Sequence, residues 1–309
     1  MTLPTQHISV TLPVNEAIER VKRVLFNPFD LQKWFAIGFC AWLAHLGQRG
    51  FGGSFGSRGN PGNLNVQESI QRARDYLTSN LYWIVPVAIG LVLAGLVLWV
   101  LLVWLSSRGK FMFLDCVAAN KSEVLAPWHK FASQGASLFW FRLVLWLIQM
   151  IVMLPLIVFA VVLVWRMIQQ GKPDVGGVLG LVGLGLALLL ACLVFWIIAR
   201  LTTDFVVVIM FSRGATCLQA WSILRALLAA NSGAFVLYFL FQILLSMVIG
   251  ACVLALILVT CCIAGCLLAI PYLGTVLFLP VLVFQRAYSL FYLRQYGPEF
   301  DALASTEHG

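Results

Sequence analysis

From Ala226 to Gln285 the chain runs for sixty residues without one charged side chain. Wound as helix at 1.5 Å per residue, such a run is about 90 Å long, three times the ~30 Å hydrocarbon thickness of a bilayer. A water-soluble helix needs a polar face, and this stretch offers none. It must face lipid. Charge-poor runs recur at 81–105, 138–165 and 177–199, with Tyr82, Trp83, Trp104, Trp140 and Trp165 at their edges, where interfacial aromatics belong. Composition agrees: 61% of the 309 residues are hydrophobic and 10% charged, against about 45–50% and about 25% in soluble domains.

These runs predict an all-α, polytopic integral membrane protein with six transmembrane helices in a single membrane domain, 1–309. The sixty uncharged residues divide best into spans at 233–257 and 262–285, with a turn near Val259–Gly265, because this returns Arg286 and Arg294 to the side of Arg225. A third crossing would need a break near Pro271. The first span is expected over 31–47, its Lys33 snorkelling back to the headgroups. Charged residues from Glu16 to Asp30 interrupt the N-terminal segment and argue against a cleaved leader.

Six spans starting inside place fourteen Lys and Arg residues on the cytoplasmic side. Six remain opposite: Arg49, Arg58, Arg72, Arg74, Arg166 and Lys172. That bias predicts both termini, including the tail 295–309, in the cytoplasm. It also accounts for the net charge of +8 without nucleic-acid binding. Segment 48–66, QRGFGGSFGSRGNPGNLNV, reads as a flexible external loop because its glycines leave the backbone many conformations. The polar stretch 66–80 reads as a surface helix.

Internal similarity is the most informative pattern. A short amphipathic segment precedes the first, third and fifth spans: Glu16–Leu25, Glu123–Phe131 and Cys217–Leu228. Each is followed by a break containing Asn, Pro, Ser or Gly and then by an aromatic-led span. Ile18, Val21, Val24 and Leu25 fall at helical spacing, so the first of these helices should lie in the interface, apolar side down. The expected unit is an interfacial helix plus a two-span hairpin, repeated in parallel over about 14–108, 120–200 and 214–286. Trp128 and Trp221 set the 93-residue offset of the last two copies. Trp34, Trp128, Trp221, Arg142 and Arg286 are the expected interfacial anchors.

The segments Phe26–Trp34, Asp204–Gly214 with Ala220-Trp221-Ser222, and Phe284–Leu290 carry a family resemblance. The chain resembles uncharacterised prokaryotic multi-pass proteins of the unknown-function type, and the membrane domain fused to some glycerophosphodiester phosphodiesterases. The resemblance implies about six helices with interfacial connectors in a prokaryotic cytoplasmic (inner) membrane. It implies no substrate, and no soluble phosphodiesterase domain is visible in the chain.

Chemistry is sparse. Gly176, Gly180, Gly183, Ala187 and Ala191 form a small-residue face at i, i+3 and i+4 spacing in the fourth span, suited to close helix approach within the chain or between copies. Gln149 and Gln242 could line a polar path or join helices. His45 is expected near the outer end of the first span. Asp115 and Asp204 are placed to pair with Arg108 and Arg200 at helix ends. Eight cysteines show no disulfide framework, and Cys261-Cys262-x3-Cys266 lacks nearby His, Asp or Glu, so these read as small packing residues.

No catalytic triad, metal set or cofactor motif emerges. The expectation is a non-catalytic membrane protein with a scaffold, assembly or lipid-organising role, whose partners are membrane lipids, itself or other membrane proteins. A channel or transporter is the alternative, and a lipid-active enzyme the third.

Overall fold

The computed structural model describes residues 9–27, 29–46, 79–120, 125–170, 175–260 and 270–303. Among them every regular element is helical: α1 (Leu12–Val21), α2 (Leu31–His45), α3 (Leu81–Ala119), α4 (Leu125–Lys130), α5 (Ala132–Gln170), α6 (Val175–Leu201), α7 (Val207–Arg213), α8 (Cys217–Ala230), α9 (Ser232–Val259), α10 (Pro271–Leu277) and α11 (Leu279–Arg294). The loop 48–66, most of the expected surface helix 66–80, the Cys261–Cys266 cluster and the end of the C-terminal tail lie outside the described residues.

Four helical stretches are long and apolar enough to cross a membrane: Tyr82–Ala119, Ala132–Gln169, Val175–Arg213 and Ser232–Val259. The third is α6 and α7 joined through a π-helical turn, Thr202–Val206. The three longest, 38 or 39 residues each, extend to nearly 60 Å, so each holds a span and an extension beyond it. Burial marks where the two meet. In α3, Leu91, Val92 and Val97 are exposed while Phe111, Met112 and Leu114 are fully buried. Along α6 and α7, Val182 and Leu189 are exposed and Phe205 to Met210 buried. The antiparallel partners reverse the order: α5 buries Leu138 and exposes Ile151, Leu154, Val158 and Ile168, and α9 buries Phe235 and Tyr238 and exposes Met247, Leu254 and Val259. All four apolar arms therefore leave one common packed end. Exposed apolar surface on this scale requires a lipid environment; this is a membrane protein.

The remaining two expected spans take a different form. At 15 residues, α2 is about 22 Å long, short of a crossing. It packs along the buried end of α3 and not along its apolar arm. Ser106 Oγ donates to the Ala44 carbonyl at 2.9 Å, and the Cys40 and Cys116 thiols meet at 3.7 Å. Lys33 does not snorkel to headgroups; its Nζ donates to Asn120 Oδ1 at 2.9 Å. The contact depends on Gly109, where an added Cβ would stand 2.7 Å from the backbone of Leu43 and Ala44, so any side chain would drive the helices apart. The sixth expected span, 262–285, begins outside the described residues and continues as α10 and α11, broken at Phe278. Pro280, in the first turn of α11, cannot donate a backbone hydrogen bond there.

The amphipathic connectors are present but largely covered. The apolar side of α1 is covered in part: Ala17, and Val24 and Leu25 of the π-helical turn Lys22–Phe26 that follows, are buried while Ile18 stays exposed. Arg294 pairs with Glu16 at 2.9 Å between α11 and α1. Arg20 donates to the Val117 and Ala118 carbonyls at the end of α3. Likewise Cys217, Ala220, Leu224 and Leu227 of α8 are buried against the packed end. The stripes that suggested a lipid surface are met largely by other helices, with Ile18 and Leu218 left exposed.

Candidate functional site

Charged residues stand in the packed ends of three helices that return from the apolar arms. Two of them end at a residue of positive φ, Asn120 after α3 and Gly214 after α7, and α11 ends at Gln295 with φ −65°. Lys110 lies ten residues before Asn120 and Asp204 ten before Gly214. Lys110, Asp204 and Arg286 converge on one cavity of about 430 Å³.

The π-helical turn shapes its wall. A π turn widens the helix and shifts the register of its carbonyls, a device found often at functional sites. Here it presents Thr203 to both cations. Lys110 Nζ donates to Thr203 Oγ1 at 2.8 Å, and Arg286 Nη1 donates to the Thr203 carbonyl at 2.7 Å. Asp204 is the only acid among the lining residues. Arg200 Nε holds it at 2.9 Å, the i, i+4 pair expected from sequence, and Tyr238 donates to it at 3.4 Å. Gln242 donates in turn to Tyr238 at 3.0 Å, so this residue of α9 reaches the cavity through a phenol. The expected Asp115–Arg108 pair is replaced: the Arg108 guanidinium lies over the rings of Trp104 and Trp128, 4.5 and 5.1 Å from their centroids.

A second cavity of about 260 Å³ shares Lys110, Ala199 and Thr203 with the first and adds Arg142 and Gln149. Arg142 does not point to an interface. Its Nη1 donates to Ser106 and Ser107 of α3, at 3.3 and 3.1 Å. Gln149 lines this second space, whereas Gln242 sits buried beside Tyr238.

The charges do not balance. Lys110 and Arg286 are 4% and 8% exposed, and both hydrogen-bond to neutral oxygens. Arg286 Nε and Nη2 are buried with no acceptor in reach. Buried ions without partners cost several kcal/mol each, so this end of the fold carries a cationic cost that packing alone does not explain. His45 also lines the cavity, its Nδ1 2.7 Å from the Ala41 carbonyl. Gln285 and Ser289 add neutral polar groups, and Phe113, Leu282 and Trp196 supply apolar wall. Trp196 belongs to the last turns of the α6 arm and is 50% exposed, so the cavity adjoins the lipid-facing surface.

Other expected site residues lie elsewhere. Trp34 packs edge-on against Phe26 and Phe29 and Trp128 edge-on against Trp104, and Trp221 lies tilted at 32° against Phe141. Each of these tryptophans therefore makes ring contacts within the fold. Of the small-residue face on α6, Gly176, Gly180, Gly183 and Ala187 are exposed and Ala191 half-buried. A Cβ added at Gly180 would stand 3.7 Å from Leu163 of α5, and one at Gly183 would meet nothing within 4 Å. A Cβ at Gly177 would come nearer to α5, 3.3 Å from the Met167 side chain.

A family model described as a family of unknown function, DUF7544, matches residues 9–279. The chain belongs to this family. The match takes in α1 to α10 and the first residue of α11, hence the walls of both cavities except those from the rest of α11. It agrees with the resemblance to uncharacterised proteins and carries no link to glycerophosphodiester phosphodiesterases. No curated protein and no solved structure matches the chain.

Sequence reasoning missed Lys110, Thr203 and Tyr238. Lys110 and Asp204 did leave a signal: charges near the ends of the apolar runs, each ten residues before a residue able to adopt positive φ.

Proposed function

We propose that this protein is a non-catalytic, multi-pass component of a prokaryotic cytoplasmic membrane that organises lipid around a cationic cavity, with both termini on the cytoplasmic side. The observation carrying this reading is the position of Trp196, half-exposed on a lipid-facing arm and at the same time part of the wall that encloses Lys110 and Arg286. A membrane body with this arrangement can draw the polar part of a lipid inward while the apolar arms stay in the bilayer. The non-catalytic part of the reading is supported by Asp204, already held by Arg200 and Tyr238 and so poorly placed to serve as a base beside a nucleophile. Three parallel units of connector helix plus hairpin remain the organisation we favour. The matching ten-residue offsets of Lys110 from Asn120 and of Asp204 from Gly214 support it.

The test is purification in a mild detergent followed by lipid analysis. Anionic lipid retained through exchange into fresh detergent, above its share of the membrane, is the expected result. A protein that keeps no lipid and conducts ions in proteoliposomes would overturn the reading. The second reading, a channel or transporter formed by one or several copies, is favoured by Gln149 on the wall of the Arg142 cavity. An ion flux lost on Gln149→Leu or Gln242→Leu would establish it.

A further inference from the structure

The cationic cavity has a more specific chemistry than general attraction to lipid. Arg286 uses Nη1 on the Thr203 carbonyl, which leaves Nε and Nη2, the two parallel donors along one edge of the guanidinium. Those are the two atoms without a partner. This edge matches a pair of oxygens on one phosphorus or carbon atom, the bidentate geometry in which Arg exceeds Lys. Lys110, Arg142 and Arg286 have neutral hydrogen-bond partners, while Arg200 is held by Asp204. Lys110 and Arg286 line the larger cavity and Arg142 the adjoining one. An excess of two positive charges in the larger cavity suits a phosphate better than a single carboxylate. We infer that the cavity binds the phosphate group of an anionic ligand, with Arg286 turning its Nε–Nη2 edge into the cavity to grip two of its oxygens and Lys110 supplying a second charge.

Size and surroundings say more about the ligand. A cavity of about 430 Å³ is larger than an inorganic phosphate needs, and Phe113, Leu282 and Trp196 would meet an apolar or glyceryl portion. The phosphate can come from a lipid headgroup or from a free phosphate in solution. The inference rests on the lipid-organising reading for the first source only; the phosphate site itself does not depend on it.

The experiment follows the unfolding temperature of the full-length protein in a neutral maltoside detergent. The probes are inorganic phosphate, a short-chain phosphatidic acid and a short-chain phosphatidylcholine, with sodium chloride added to equal ionic strength. At saturation, phosphate or phosphatidic acid should raise Tm by about 4 °C or more, since a ligand that binds only the folded state stabilises it. Chloride and phosphatidylcholine should not. Arg286→Gln and Lys110→Gln should each lose the shift, and Arg225→Gln, an exposed arginine on α8, should keep it. If Arg286→Gln does not fold, Lys110→Gln carries the test, together with Arg286→Lys, which keeps the charge and should weaken phosphate binding at least tenfold. No shift with either phosphate probe overturns the site, and so does an equal shift in the Gln variants. A response to inorganic phosphate without one to phosphatidic acid supports the site and rejects the lipid source. Anionic lipid retained equally by wild type and Arg286→Gln leaves the lipid-organising reading standing and removes this site.

Discussion

Asp204 is the residue on which the charge of the packed end turns. It is the one acid lining a cavity that also holds Lys110, Arg200 and Arg286, and Arg200 and Tyr238 both bond to it. Asp204→Asn keeps the shape and removes the charge, so the cations face one another with no anion among them. Breaking a buried pair this way costs several kcal/mol; because Arg200 is partly exposed, about 3 kcal/mol is expected. Adding Lys110→Met to Asp204→Asn should return at least half of that loss, because the second change removes one of the cations left unbalanced. Thermal or denaturant unfolding in detergent measures both. A neutral Asp204→Asn, or a double variant as unstable as the sum of the single changes, would show that the cavity charges are not coupled. The Arg200–Asp204 pair was legible in the sequence because i and i+4 are neighbours on any helix. Its convergence with Lys110 and Arg286 was not, since those residues lie 94 and 82 positions away from Asp204 and only tertiary packing brings them together.

At the scale of the element, hydropathy read the long helices well and the short ones poorly. Runs of uniform apolarity found α3, α5, α6 and α9 because a span is set by length and composition. Amphipathic stripes found α1, α4 and α8, yet a stripe says only that one face must be covered, and in α8 and at Ala17 of α1 the cover is protein. For α2, sequence alone could not distinguish a short span from a helix packed on the extension of α3. Gly38, Ala41 and Ala44 in α2 with Gly109 in α3 fit either reading until the contacts are seen. The α5–α6 hairpin is the element that follows most directly from sequence, and its register can be tested. Gly177 stands against Met167, close enough for a disulfide after modest adjustment. With the native cysteines replaced, Met167→Cys with Gly177→Cys should cross-link on mild oxidation, keeping the two fragments joined after cleavage of an inserted protease site near residue 172. Met167→Cys with Gly183→Cys should not. Cross-linking of the second pair and not the first would place α6 in another register.

For the whole molecule, the feature that organises everything else is the separation of lipid-facing arms from one packed, cationic end. That separation fits the fourteen-to-six distribution of Lys and Arg and gives it a second meaning: part of the positive charge is internal and faces a cavity. Topology is the property that sequence bias addresses and that packing leaves open at one place, the first crossing. The last residues of α2 lie beside Gly109, whereas Leu81 begins α3 28 residues earlier, about 42 Å along the helix axis. The six-span topology puts Ser54 outside and Ser305 in the cytoplasm, although α2 alone is too short to span the core. Single cysteines at these positions in a cysteine-free background, treated in intact cells with a membrane-impermeant maleimide, measure this directly. Ser54→Cys should react at once. Ser305→Cys should react only after permeabilisation. If instead Ser54→Cys needs permeabilisation and Ser305→Cys reacts at once, with the N-terminus still in the cytoplasm, α2 does not cross and five spans remain, the four long helices and a fifth completed by α10 and α11. If both react from the same side, an even number of crossings follows Ser54 and the six-span topology fails.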